Sequence, residues 1–284
     1  MVEQTPRTQL FGASETVIPN PIQGIIGDVP VESIPLPSRG KLYPPTSAAH
    51  NVETVEIRPM TAHDEDILTS PALQKRGTVV TELLQGCLYA DPGVKKINVR
   101  ELVSGDRDAL MIAIRSISYG SDYNAETHCP QCDNKEKHVF SLKLPMKRLE
   151  IDPIAPGLNA FPYTLPISKR NVIFRFLTVA DEEEIMLTQE RMKKSTNRQT
   201  NNLVTTRLQY SLLSVDGVDD KNKIAQFVKT MLAGDSLAFR RYADKHTPGV
   251  QMKQKIVCGA CSEESEVILP LTSEFFYPTN DDEV

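Results

Sequence analysis

Two Cys-x-x-Cys pairs, Cys129-Pro-Gln-Cys132 and Cys258-Gly-Ala-Cys261, constrain this chain more than any other feature. Each sits in a polar, strand-flanked turn. About 24 residues before each stands a Gly-Asp signal, Leu102-Val-Ser-Gly105-Asp106 in one case and Leu232-Ala-Gly234-Asp235 in the other. From Gly-Asp through both cysteines the spacing between the occurrences is constant at 129 residues. A period held over such a length points to internal duplication.

The correspondence extends upstream at a different offset. Val52-Glu-Thr-Val-Glu-Ile-Arg58 alternates apolar and polar side chains and predicts a half-buried strand. Thr61 follows as a helix cap, with Asp64, Glu65 and Asp66 in the first turn, where acids suit the helix dipole. Arg58, Thr61, Asp64, Glu65 and Ile67 find counterparts in Arg175, Thr178, Asp181, Glu182 and Glu184 or Ile185 at an offset of 117. Growth from 117 to 129 requires about 12 extra residues, and the polar stretch Gln189 to Asn202 supplies them by extending a helix or a helix-helix loop. Each copy then offers an apolar helix with spacings of three and four, Val79 to Leu88 and Leu203 to Leu213. Asp106 and Asp235 read as caps of the helices that follow. Alternating strands flank the cysteine turns: His138 to Pro145 and Ser265 to Leu271 follow them, and Val250 to Val257 leads into the second.

The expected fold class is α+β: two tandem copies of a strand-helices-zinc-knuckle unit, joined by a shared four-cysteine site, with an extended N-terminal arm. The expected boundaries are an extended proline-rich arm over 1–50, a first repeat over 51–149, a proline-marked linker over 150–170, a second repeat over 171–278 and an acidic tail over 279–284. Pro6, Pro19, Pro21, Pro30, Pro35, Pro37, Pro44 and Pro45 exclude helix and interior strand from the arm, because proline removes donors and fixes the backbone. Isolated apolar pairs such as Val17-Ile18 suit an arm that orders on another subunit, against the plainer reading of a disordered tail.

Composition narrows the function. A chain of 284 residues with 40% hydrophobic content buries real cores, and no apolar run reaches the length of a membrane span. The start lacks the charged and apolar regions of a signal peptide, so synthesis in the cytoplasm, or in a particle assembled there, is expected. A formal charge of −5 disfavours a protein that neutralises phosphates, and with it nucleic acid as a partner. Five cysteines are too few for a disulfide scaffold, and Cys87, outside the pairs, reads as a core thiol.

Zinc favours four tetrahedral ligands, and a Cys-x-x-Cys turn presents two thiolates at a suitable bite. His128 and His138 flank the first pair, but their counterparts at 129 are Val257 and Val267, so the second copy lacks local residues to complete a site of its own. One structural zinc held by Cys129, Cys132, Cys258 and Cys261 is therefore favoured over a site in one copy or none. Four filled positions leave no room for substrate. A thioredoxin-type reading needs the first cysteine at a helix start, and neither pair precedes a helical pattern. The acidic runs at Asp64 to Asp66 and Asp181 to Glu184 read as solvent-facing first turns rather than cation sites. Gly-rich phosphate loops, Gly-x-Ser-x-Gly and His-Glu-x-x-His are all absent, so the chain is expected not to be an enzyme.

Four stretches together resemble the baseplate hub proteins of T4-like contractile-tailed bacteriophages. They are Leu36-Pro-Ser-Arg-Gly-Lys-Leu-Tyr43, Arg58-Pro-Met-Thr-Ala-His-Asp-Glu-Asp-Ile-Leu68, the Gly105-Asp106-Arg107 helix ending in Ile114-Arg115, and Tyr119-Gly120 before the first cysteine pair. The likeness covers residues 36 to about 275 and is sharpest in the first half; Phe176-Leu177 replaces Pro59-Met60 in the second. The resemblance implies a structural or assembly protein of the virion tail baseplate, put together in the host cytoplasm. Its implied partners are other phage baseplate and tail proteins and a second copy of itself, with no membrane. It also implies that Leu36, Arg39, Leu42 and Tyr43 contact a partner and that the arm wraps a neighbouring subunit. The alternatives are an assembly chaperone absent from the finished virion and a zinc-ribbon protein that binds nucleic acid.

Overall fold

The strand expected before Arg58 needs a neighbour to satisfy its backbone, and it finds one inside the proline-rich stretch. In the computed structural model, which describes residues 30–90, 93–195, 202–269 and 273–276, β1 (Glu32–Pro35) pairs antiparallel with β2 (Thr54–Ile57). The chain divides at Pro30, and everything that follows concerns the unit from Val31 onward. The arm expected over 1–50 is therefore corrected at its C-terminal end; residues 1–29 lie outside the described residues, as does the acidic tail at 279–284. Pro35 fits because it ends an edge strand, where no ladder donor is lost.

After β2 come α1 (Ala62–Thr69), α2 (Pro71–Arg76) and α3 (Val79–Cys87). Proline starts α2 with a preset backbone angle, and Gly77 ends it at φ 70°, in the left-handed region. Val79, Leu83, Leu84 and Cys87 line the buried face of α3, the spacing that made its sequence read as helix. A short 3-10 turn (Val99–Glu101) leads into α4 (Ser104–Tyr119), which buries Ala109 to Ile112 and Ile114. The hairpin of β3 (Asp122–His128) and β4 (Lys135–Ser141) carries the first cysteine turn at its tip, and β5 (Met146–Lys147) follows.

The second half opens with β6 (Phe161–Thr164) and β7 (Asn171–Phe174). Residues 150–170 were expected to be a linker; the correction is that their second part is a strand with buried flanks at Ala160, Phe161 and Leu165. Next come α5 (Val179–Ser195), α6 (Leu203–Ser211), β8 (Leu212–Val215), α7 (Lys221–Thr230) and α8 (Ala233–His246). The chain closes with β9 (Gly249–Val250), the hairpin of β10 (Lys253–Val257) and β11 (Glu264–Ile268), and a 3-10 turn (Ser273–Phe276).

In several places a pairing or bond in one half has a counterpart in the other. Glu32 faces Ile57 in one sheet, and Phe161 faces Phe174 in the other. The amide of Arg58 donates to the carbonyl of Cys87, and that of Arg175 to Ser211. Helices α4 and α8 begin 129 residues apart, as do the strands β4 and β11. The nine-residue helices α3 and α6 begin 124 apart, so the extra residues enter in two places: one before α6 and one between α6 and α8.

One core runs through the whole unit. Leu36, Leu42, Leu83, Leu84, Leu102 and Leu110 build its first part, and Phe161, Phe174, Phe176 and Phe239 form an aromatic cluster in the second. Of the four residues expected to contact a partner, Leu36, Leu42 and Tyr43 are buried within this unit and Arg39 is half-buried. The physical reason is their short apolar payload: once β1 pairs with β2, the loop between them falls onto α4 and its apolar side chains leave water.

Candidate metal centre

The loop after β1 is pinned by a carboxylate. Asp106 accepts hydrogen bonds from the Ser38 amide, the Ser38 hydroxyl and the Tyr43 hydroxyl, while Tyr43 Oη accepts from the Val103 amide. Asp106 is no helix cap, as α4 already begins at Ser104; it is a buried tether between segments 68 residues apart. Burial pushes its pKa up, against the Ser38 and Tyr43 hydrogen bonds. Asp235 stands in the same place in the second half and accepts the amides of Ile167 and Ser168 at 2.7 and 3.0 Å. There desolvation is outweighed by the Ser168 and Ile167 donors, and the carboxyl is held below its ordinary range. The shared dipeptides Leu36-Pro37 and Leu165-Pro166, again 129 apart, are the sequence signal that could have revealed both tethers and both first strands.

The strand-to-helix turns match as well. Arg58 forks onto Asp64 at 2.6 and 3.1 Å, and Asp64 also accepts the amide and hydroxyl of Thr61. In the second half Arg175 reaches Asp181 at 2.6 Å, and Asp181 accepts from the amide and hydroxyl of Thr178. The Thr cap read from the sequence is thus one part of a larger lock that ties strand to helix. Asp64 and Asp181 face inward to their arginines rather than to solvent.

With the bodies built this way, the two hairpins bring their tips together. In each tip the first cysteine's carbonyl accepts an amide four residues on, Asp133 in one and Ser262 in the other, and both of those residues adopt left-handed φ, 55° and 57°. The amides of Cys129 and Cys258 are satisfied by the carbonyls of Asn134 and Glu263. Both turns continue into strands, which presents the sulfurs at the tips.

All four sulfurs lie within 4.8 Å of one another, and the cross-pairs Cys129 to Cys261 and Cys132 to Cys258 are each 3.7 Å. Four thiolates about 2.3 Å from a central zinc sit about 3.8 Å apart, so the sulfur cage has the size of a tetrahedral zinc site. Cys129 and Cys258 are buried; Cys132 and Cys261 are exposed. The amides of Cys261 and Ala260 pull the Cys258 thiol down to about 6. Cys261 is pushed the other way, to about 12, because the sulfurs of Cys132, Cys258 and Cys129 crowd it despite a favourable amide at Glu263. Four thiolates at this separation repel, and a cation at their centre removes the conflict.

Sequence reading missed the residues that hold the tips to each other. Glu136, on β4, accepts the Gly259 amide at 2.8 Å, so a first-half side chain anchors the second cysteine turn. Asn134 Nδ2 points at Cys258 Sγ, 3.9 Å away. Both lie beside the first pair, yet nothing local shows that they reach across more than 120 residues.

The match to known families falls on the first half. Residues 32–154 match the family model of the T4 bacteriophage base plate protein. The chain carries a T4-like phage baseplate segment. The match begins at the first residue of β1, where the structure places the start of the unit, rather than at residue 51. A baseplate protein works among other phage baseplate proteins in the virion tail. Among curated proteins and solved structures nothing matches the chain. Among the described residues, no helix is long and apolar enough to cross a membrane.

Proposed function

We propose that the chain is a non-catalytic structural or assembly protein of a contractile-tail baseplate, at the hub or at the joint between wedge and hub. It consists of two tandem copies of one unit, fastened by a single structural zinc on Cys129, Cys132, Cys258 and Cys261. The observation that carries this reading is the sulfur cage closed equally by both halves of a chain whose first half matches a baseplate family. A filled cage supplies binding energy to folding and offers no reactive position. The matched turns, tethers and hairpins support the two-copy reading. The segment before Pro30 extends to a neighbouring baseplate subunit, so its deletion leaves a folded protein that fails to incorporate. Mass spectrometry of purified virions tests the role: the chain is expected in tails at a fixed ratio to other baseplate proteins. Its absence from finished particles would replace this role with that of an assembly chaperone.

A further inference from the structure

Among the contacts that join the halves, two differ in symmetry. The cysteine cage is reciprocal, since exchanging the halves maps Cys129 with Cys261 onto Cys258 with Cys132. It is therefore closed. The contact at the start of α4 runs one way. Val103, at the start of α4, bridges Thr178, at the turn between β7 and α5. The Ser104 amide donates to Leu177 at 3.0 Å and the Val179 amide to Leu102 at 2.9 Å.

Among the described residues, the counterparts of these groups are exposed or half-buried. Val103 is 0% exposed, whereas Leu232 in the same position of the second half is 49% exposed. Ile167, whose side chain lies over Gly234, and Leu237 add to an uncovered apolar patch at the start of α8. Val179 is buried, whereas Thr61 and Ala62, at the matching turn of the first half, are exposed. Ala62 and Ala233 each supply the first amide of a helix, which has no acceptor within its own helix. Charge also complements: Glu65 and Asp66 are exposed beside the open turn, and Arg240 and Arg241 are exposed on α8.

We propose that the chain assembles head to tail with a second copy of itself. The start of α8 in one copy docks on the turn between β2 and α1 in the next, by the contact that already joins Val103 to Thr178. This rests on reading the halves as copies of one unit. A one-way interface propagates, so closure of a ring or growth of a filament follows from the angle between successive chains.

Sedimentation of the full, metal-loaded chain over rising concentration tests it. Self-association is expected, and Leu232→Glu or Ala62→Lys is expected to weaken it at least about tenfold by placing a charge in the contact. Both positions are exposed, so circular dichroism and zinc content should be unchanged. Each variant keeps one intact surface, and an equimolar mixture of the two should form dimers that grow no further. A chain that stays monomeric, association indifferent to both substitutions, or a mixture that does not pair would each overturn the proposal, and none would bear on the presence of the protein in virions.

Discussion

Asp106 and Asp235 occupy the same place in the two halves and carry opposite burdens. Asp106 serves two hydroxyls and one amide in a dry site, and Asp235 serves two backbone amides. Replacing Asp106 with alanine leaves the Ser38 amide and Tyr43 hydroxyl buried without their acceptor, and should destabilise the fold by about 3 kcal/mol in urea unfolding. The Arg58 lock gives a pH signature. Despite desolvation, Arg58 and Thr61 hold the folded pKa of Asp64 below its ordinary value. A depressed carboxyl contributes stability that is complete above the unfolded value near about 4 and is lost as pH falls through the folded value. The difference in unfolding free energy between the wild type and Asp64→Asn should therefore shrink as pH drops below about 4. A constant difference down to pH 2 would show that the ion pair contributes nothing.

At the scale of elements, what was legible depended on range. The cysteine turns, α3, and the strand before Arg58 announce themselves by local pattern. β1 and β6 do not, because Glu32-Ser-Ile-Pro35 and Phe161-Pro-Tyr-Thr164 are short, carry proline and become strands only when β2 and β7 arrive. Asp106 looked like a cap because its true partners lie 63 and 68 residues away. The burial of the loop from Leu36 to Tyr43 was not legible for the same reason: proline-rich sequence signals an absence of regular structure, not an absence of core contacts. Packing of elements gives a paired test. A methyl added at Gly105 would meet the Pro248 carbonyl oxygen at 1.7 Å, which is backbone, whereas one at Gly234 meets only the flexible end of Ile167. Gly105→Ala should destabilise by about 3 kcal/mol or prise α4 from the turn before β9. Gly234→Ala should lie within about 1 kcal/mol of the wild type, since alanine also favours helix.

For the whole molecule, the cage closes a loop of chain that runs from the end of the first half through nearly all of the second. Without a metal the loop reopens, and the clustered sulfurs escape mutual repulsion only by taking up protons or moving apart. Chelation at neutral pH should lower the midpoint of thermal unfolding by about 10 °C or more and expose both hairpins to proteolysis together. Acid should release the metal by protonating the ligands. The decisive quantity is zinc per chain in purified protein. One zinc is expected in the wild type, and none in either Cys129→Ser/Cys132→Ser or Cys258→Ser/Cys261→Ser, because each half supplies two of the four ligands. Full retention of zinc after loss of either pair would contradict a site shared between the halves.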